Sequence, residues 1–457
     1  RQFTTSLVSA SLFNRLFGAA QGEPLLRFGF LSDAHLGLAN TENNAAFADA
    51  LVRFAAANVD AVVMSGDLLD TGSVEEMELL LAAWQTAFPD GAAADGRPVT
   101  PFPVWGNHDY KDASYMRNLP PERKAADLRV SMFAHKDATW RKLFGEPFPG
   151  EVFHKTIKGF SFVGAHWKHE EETPAYLKEH AGEIDMSKIF FYVQHPHVPG
   201  TVYHPGRTDK SAIRNALAEH SNCFSLSGHG HESAAYESAL WQGEFTALGG
   251  SSSKIVSTLR PRENAGAAPW LKGPAPISPA VAAGGGHHAM LVSVYAHELV
   301  IERHEFVNDE PLGEEWVLPL PLQTHPESPC VIAAGAEPPQ FAADAKLTVT
   351  RGTMMTRQHE KRDCWRVEFP LALPAKRHGR VTDYAVTVKD GPGGKVCVKR
   401  LLSQPLMTLA ERRLDRNEHL VCLIAAEDLE GVSAPVFAVT PLNAGGKGGN
   451  PLILRPR

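Results

Sequence analysis

The chain carries two clips of metal-ligating side chains, Asp33-x-His35 near its start and His229-x-His231 well downstream. Between them lie Asp67 in "SGD", the triplet Asn107-His108-Asp109 in "WGNHD", and the histidines of "HPH", His195 and His197. In extended chain alternate residues project to the same side, so each clip could grip a single ion. Two clips, a carboxylate able to bridge and an amide oxygen make a mixed nitrogen and oxygen site for two divalent cations. Such donors suit Mn, Fe, Zn, Co or Ni and do not choose among them. Singly, each residue has an ordinary explanation: the chain holds 21 histidines, and Gly-Asp or Gly-Asn is commonly a turn. The signal is their joint occurrence.

Elements able to position these side chains alternate along the first 300 or so residues, as in a layered α/β domain. "LLRFGFLSD" reads as a buried strand ending at Asp33, and a helix follows with Phe47, Ala50, Leu51, Phe54 and Ala55 at helical spacing. "AVVMSGD" is a second strand, ending at Asp67. "SVEEMELLLAAWQTAF" is a helix capped by Ser73, with Glu76 completing a capping box. "PVWGNHD" closes the third strand, "VFHKTIKGFSFVGAH" is a hairpin turning at Lys158-Gly159, and "KIFFYVQHPH" is a strand that stops on histidines. A helix over 212–219 leads to "CFSLSGHGH"; "GEFTALGGSS" and the hairpin "AMLVSVYAHELVIERHEF" complete the unit. Strand after strand thus ends at its carboxyl edge on a metal-competent residue, and that edge is where open α/β sheets bind ligands.

The order Asp33-x-His35, Gly66-Asp67, Gly106-Asn107-His108-Asp109, His195, Gly228-His229-x-His231 resembles the calcineurin-like metallophosphoesterase family over about 200 residues. The resemblance implies a four-layer α/β sandwich with a binuclear metal centre at its mouth. Asp33, His35, Asp67 and His231 would hold one metal, and Asp67 would bridge to a second held by Asn107, His195 and His229. The length of the preceding strand selects His195, with His197 as the alternative ligand. His108 would face a phosphate oxygen as a catalytic residue, oriented by Asp109. Two ions clamp the attacking and leaving oxygens and lower the pKa of a bridging water, so the expected reaction is in-line attack of metal-bound hydroxide on a phosphoester. "GDLLDTG" leans to phosphodiesters, with phosphomonoesters as the alternative. Purple acid phosphatases in this superfamily place a tyrosine ligand where this chain has Asp70, so their charge-transfer colour is not expected. A non-catalytic scaffold would have lost ligands, and amidohydrolases begin with a His-x-His clip; neither pattern is present.

With 457 residues the chain implies about two to three domains. Its formal charge, from 45 basic and 52 acidic residues, is −7, which argues against nucleic acid held by bulk electrostatics. An anionic substrate would then need a metal's local charge. Residues 23–318 are assigned to the α/β domain and 319–330, four of whose neighbours in "VLPLPLQTHPESP" are prolines, to a linker. Residues 331–457 read as a small all-β sandwich, from period-2 runs such as "KLTVT" and "DYAVTVK". "AAEDLEGVSAP" within it resembles fibronectin type III-like modules. Residues 111–150 form an insertion and 261–286 a surface loop, either able to overhang the mouth. The five cysteines include no CxxC pair, and four of them follow residue 329, where a disulfide could form. Residues 1–22 have the layout of an export signal, Arg1-x-Phe3 resembling part of a twin-arginine motif, so a periplasmic or extracytoplasmic location is expected. No transmembrane helix is expected.

Overall fold

The computed structural model describes residues 22–110, 136–203, 211–254, 287–306, 310–322, 335–355, 360–375, 381–391, 394–403 and 419–456. The expected export signal, all but one residue of it, most of the 111–150 insertion, the 261–286 loop, the linker from 323 onward and Cys330 lie outside the described residues.

In chain order the α/β region comprises β1 (Leu26–Leu31), α1 (Thr41–Ala56), β2 (Ala61–Ser65), α2 (Val74–Ala87), β3 (Thr100–Val104), α3 (Lys136–Phe144), β4 (Val152–Ile157), β5 (Phe160–Ala165), α4 (Thr173–Glu179), β6 (Phe190–Val193), α5 (Ala212–Ala218), β7 (Cys223–Ser227), β8 (Leu240–Gln242), β9 (Thr246–Gly249), β10 (His288–Val294), β11 (Glu298–Glu305), β12 (Glu310–Pro311) and β13 (Trp316–Pro319). One sheet runs β12-β11-β10-β1-β2-β3, with β13 also on β11; the other runs β4-β5-β6-β7-β9-β8. Strands β1, β2 and β3 are mutually parallel, as are β5, β6, β7 and β9. Their carboxyl ends therefore gather at one edge of each sheet.

Alternation along the strands builds the layers. Phe28 faces the second sheet, meeting Phe162 and Phe191 edge to face at 5.6 and 5.0 Å, and Phe102 meets Phe153 at 5.0 Å. Each such pair adds roughly 0.5–1.5 kcal/mol beyond area burial. The opposite face of β1 presents Gly29, where the ring of Phe54 on α1 occupies the space a Cβ would fill. On the second sheet, Phe191 points inward while Tyr192 points outward, its hydroxyl 3.1 Å from Thr173 Oγ1 at the start of α4. Burial on both faces explains why β2 and β7 are continuous apolar or small-residue runs rather than alternating ones. The capping box at Ser73 and Glu76 forms as expected. Strand β8 was not legible in the sequence, being three residues long. Strand β13 extends pairing on β11 into the proline-rich stretch, with Trp316 and Leu318 buried.

The region that follows is all β: β14 (Thr348–Met355), β15 (Lys361–Pro370), β16 (Asp383–Asp390), β17 (Lys395–Leu402), β18 (His419–Ala425), β19 (Pro435–Leu442) and β20 (Leu452–Leu454). Its sheets, β14-β15-β18 and β17-β16-β19-β20, pack face to face through Phe369 on Tyr384 at 5.1 Å and Trp365 on Phe437 at 5.3 Å. Among the described residues Cys223, Cys364, Cys397 and Cys422 form no disulfide with one another. No described helix is long and apolar enough to cross a membrane.

Candidate metal centre

Backbone bonds knit the strand-end loops together: Asp33 N donates to Gly66 O at 2.9 Å, His35 N to Asp67 O at 3.0 Å, and Gly228 N to His195 O at 2.8 Å. Within these loops Asp33, His35, Asp67, His229 and His231 all have positive φ, between 46° and 70°. Left-handed backbone costs a non-glycine residue roughly 1–2 kcal/mol. Such strain collects where surrounding structure dictates a side chain's direction. The two clips are thus not extended, as period-2 reasoning assumed. Left-handed turns at His229 and His231 send the two rings to different groups instead of to one ion. The intervening loops run so close that a Cβ at Gly106 would lie 2.3 Å from Asp67 Oδ1, and one at Gly228 would lie 2.5 Å from Asp33 Oδ2.

Two groups of ligand-type atoms result. In the first, His231 Nε2 lies 3.0 Å from Asp33 Oδ1 and 3.3 Å from His35 Nε2. In the second, His195 Nε2 lies 3.3 Å from Asp67 Oδ1, 3.2 Å from Asn107 Oδ1 and 3.2 Å from His229 Nδ1. Asp67 joins the groups, because its other oxygen stands 3.8 Å from His35 Nε2. The ring of His108 crosses that of His35 at 4.4 Å, so His108 sits beside the first group. His195, not His197, enters the cluster; His197 turns to Ser227 Oγ at 2.8 Å and towards Glu232 at 3.7 Å.

Could these residues hold cations? Ring nitrogens face ring nitrogens at 3.2–3.3 Å, which gathers ligand-type atoms about a common point. Asp33 Oδ1 is buried and faces the ring nitrogen of His231 at 3.0 Å. Asp33 and Asp67 are 0% and 2% exposed, and their ion-pair partners among the described residues are histidines alone. Buried carboxylates are ordinarily paired or coordinate metals. Second contacts fix the rings as they do around metals: Nδ1 of His195 donates to Ser65 O at 2.8 Å, leaving Nε2 for the cluster. The residues fit two divalent ions.

Electrostatics set His195 apart from His35 and from its own neighbour His229, which burial lowers to about 4. Burial lowers His35 to about 4, keeping it neutral. Burial would also lower His195, but the charge of Asp67 outweighs it and raises the imidazole to about 9. Burial opposes ionisation of Asp33, yet His231 and the other imidazoles hold its carboxyl well below the usual range. Asp67 is likewise held down, chiefly by His195 against the cost of burial.

Asp109 corrects the sequence reading. Its carboxylate does not reach His108; it accepts from the backbone N–H groups of Gly106 at 2.7 Å and Leu69 at 2.9 Å. Burial, then the charge of Asp67, raises it to about 7. It fastens the loop after β2 to the loop after β3, a structural task. His108 is held instead through Asp70, whose carbonyl oxygen accepts from His108 Nδ1 at 2.8 Å, and its backbone N–H donates to Asp67 Oδ1 at 2.7 Å. The Asp70 carboxylate reaches His35 Nδ1 at 3.3 Å and Lys254 Nζ at 2.9 Å.

Two participants were missed in the sequence. Trp167, just beyond β5, lies 5.9 Å from the ring of His195 and 5.7 Å from that of His229. The rule that strand carboxyl ends line the site, applied to "VGAHW", would have found it. Lys254, which reaches the site only through Asp70, had no local signal.

Residues 26–233 match the family model described as Calcineurin-like phosphoesterase. No curated protein matches the chain. Similar solved structures include a dimetal phosphatase from Danio rerio, 11% identical over 65% of this chain and 99% of that one, with a TM-score of 0.37. Another is the purple acid phosphatase PPD1 from yellow lupin (Lupinus luteus) seeds, 10% identical over 64% of this chain and 53% of that one, TM-score 0.38. A third, a novel archaeal phosphodiesterase, is 12% identical over 64% of this chain and 100% of that one, TM-score 0.25.

Proposed function

We propose that this chain, whose residues 26–233 match the calcineurin-like phosphoesterase model, is a metallophosphoesterase that hydrolyses phosphoesters at a binuclear centre, phosphodiesters ahead of monoesters. One observation carries this reading: the two carboxylate oxygens of Asp67 face different ligand groups, His35 at 3.8 Å and His195 at 3.3 Å. A carboxylate so placed can serve two ions at once. Asp33, His35 and His231 would hold the first with Asp67; Asn107, His195 and His229 would hold the second with Asp67.

Bound there, two divalent ions supply Lewis-acid stabilisation of phosphoryl oxygens and lower the pKa of a coordinated water. The chain's own residues do the rest. Nδ1 of His108 donates to the Asp70 carbonyl, which fixes the ring, and Nε2 is the atom we assign to substrate. As imidazolium, Nε2 donates to a phosphoryl or leaving-group oxygen. The side chain is 23% exposed, so it stands at the mouth rather than within the cluster. Asp109 contributes rigidity, tying down the turn that carries Asn107 and His108. The preference for diesters rests on the "GDLLDTG" segment.

The fold reading is a four-layer sandwich over residues 23–318, a link over 319–330 and a separate sandwich over 331–457. That last unit we read as fibronectin type III-like; its two opposed antiparallel sheets have the sandwich architecture such modules share.

The experiment is hydrolysis of bis-p-nitrophenyl phosphate and p-nitrophenyl phosphate by metal-stripped protein reloaded with Mn, Zn, Ni, Co or Fe. Metal-dependent hydrolysis that disappears in Asp67→Ala is expected, faster on the diester. A faster monoester would replace the diester reading, and protein that retains no metal would overturn the centre.

A further inference from the structure

On the outer face of the second sheet a separate cluster has metal-ligating chemistry. Phe153 of β4 points inward onto Phe102, so its neighbour His154 points outward, away from the space between the sheets. There it meets α4. Tyr176 and His180, four residues apart, share one helix face and meet ring to ring at 4.2 Å, tilted by 33°. The chain then turns, with the backbone N–H groups of Glu183 and Ile184 donating to His180 O at 2.9 and 3.0 Å, which brings Glu183 back over the histidines. Its carboxylate lies between two ring nitrogens: Oε2 is 3.4 Å from His154 Nε2, and Oε1 is 3.3 Å from His180 Nδ1.

We propose that His154, His180 and Glu183 bind one zinc-class divalent ion, independent of the binuclear centre. Ligand atoms of the three residues all lie within 4.8 Å of one another. Charge-assisted hydrogen bonds run about 2.7–2.9 Å, so contacts of 3.3 and 3.4 Å are long for that role. Each is close to the edge of a tetrahedron whose arms, at about 2.0–2.1 Å, set ligands roughly 3.3–3.4 Å apart, with one Glu183 oxygen facing each ring. The second contacts fit as well. His154 Nδ1 lies 2.8 Å from the Tyr176 hydroxyl, and with its proton donated there Nε2 keeps a lone pair for the ion.

Two imidazoles and one carboxylate select zinc, cobalt, nickel or copper over magnesium or calcium. The Glu183 side chain is 63% exposed, which leaves an entry path and room for a water as fourth ligand. The anchors are firm: Ile184 is 2% exposed, and Asp185 N donates to Ser161 Oγ of β5 at 3.0 Å. A bound ion would staple the end of α4 and its following turn to the edge strand β4.

The test is zinc stoichiometry. Full-length chain is stripped of metal, loaded with excess zinc, freed of unbound ion and assayed by elemental mass spectrometry alongside His180→Ala and Glu183→Gln. One ion fewer per chain is expected in both variants, with unchanged circular dichroism and unchanged phosphoesterase activity. Equal zinc in all three proteins overturns the site. Should His180→Ala misfold, Glu183→Gln alters only an exposed side chain and carries the comparison. Loading Asp67→Ala with and without Glu183→Gln separates the two centres: the one-ion difference between them persists whether or not the binuclear reading holds.

Discussion

The two sheets of the α/β region contribute unlike halves of the candidate centre. From the first come the oxygen donors Asp33, Asp67 and Asn107, with one imidazole, His35; from the second come imidazoles only, His195, His229 and His231. Neither half could stand by itself. Two buried carboxylates without cations or imidazoles would be prohibitively desolvated, and the three histidines by themselves lack the carboxylate that faces both groups. The centre is therefore a property of the packing between sheets, enforced by contacts such as Phe28 on Phe162 and Phe191.

The sharpest way to break this comparison is Asp67→Ala, which removes the residue common to both groups. Its kcat/KM should fall by about 10³-fold or more, with loss of both ions from the centre. His195→Ala strikes the second group only; about a 10²-fold loss is expected, and the metal-content assay should find one ion fewer per chain. His197→Ala should cost less than about 10-fold, because that ring faces Ser227 rather than Asp67.

Metal-free protein sharpens the contrast by pH. His195 is raised to about 9 in the folded chain against an ordinary 6.5, so its ion pair with Asp67 stabilises the fold fully below about 6.5 and is lost as pH rises through about 9. The stripped chain should therefore lose stability to thermal unfolding across that window, on the order of 3 kcal/mol, and His195→Gln should remove that slope. Asp70→Asn would loosen His35, whose Nδ1 lies 3.3 Å from that carboxylate; a loss of roughly 10-fold in metal affinity is expected by calorimetry. The smallest effect belongs to Trp167→Ala, a few-fold drop in kcat/KM from freeing the rings of His195 and His229.

Much of the scaffold was legible because its signals are local. The capping box at Ser73 and Glu76, the turn at Lys158-Gly159 and the apolar stripe through Phe47 and Phe54 each depend on a few neighbouring residues. Strand β8 escaped because three residues cannot show a period. Asp109 misled because adjacency to His108 in sequence is not adjacency of side chains. Its carboxylate is directed into the loops after β2 and β3, where backbone N–H groups await an acceptor.

The amino-acid sequence by itself determined which chemistry was available: the kinds of ligands, their order, and their position at the carboxyl ends of strands. Tertiary structure decided how they are shared out. Whether His229 joins Asp33 or Asp67, whether His195 or His197 turns inward, and which residue steadies His108 all depend on left-handed turns at loop ends and on how the two sheets meet. Those turns are strained locally and persist only because the loops interlock across the sheet interface, so no stretch of sequence read alone encodes them.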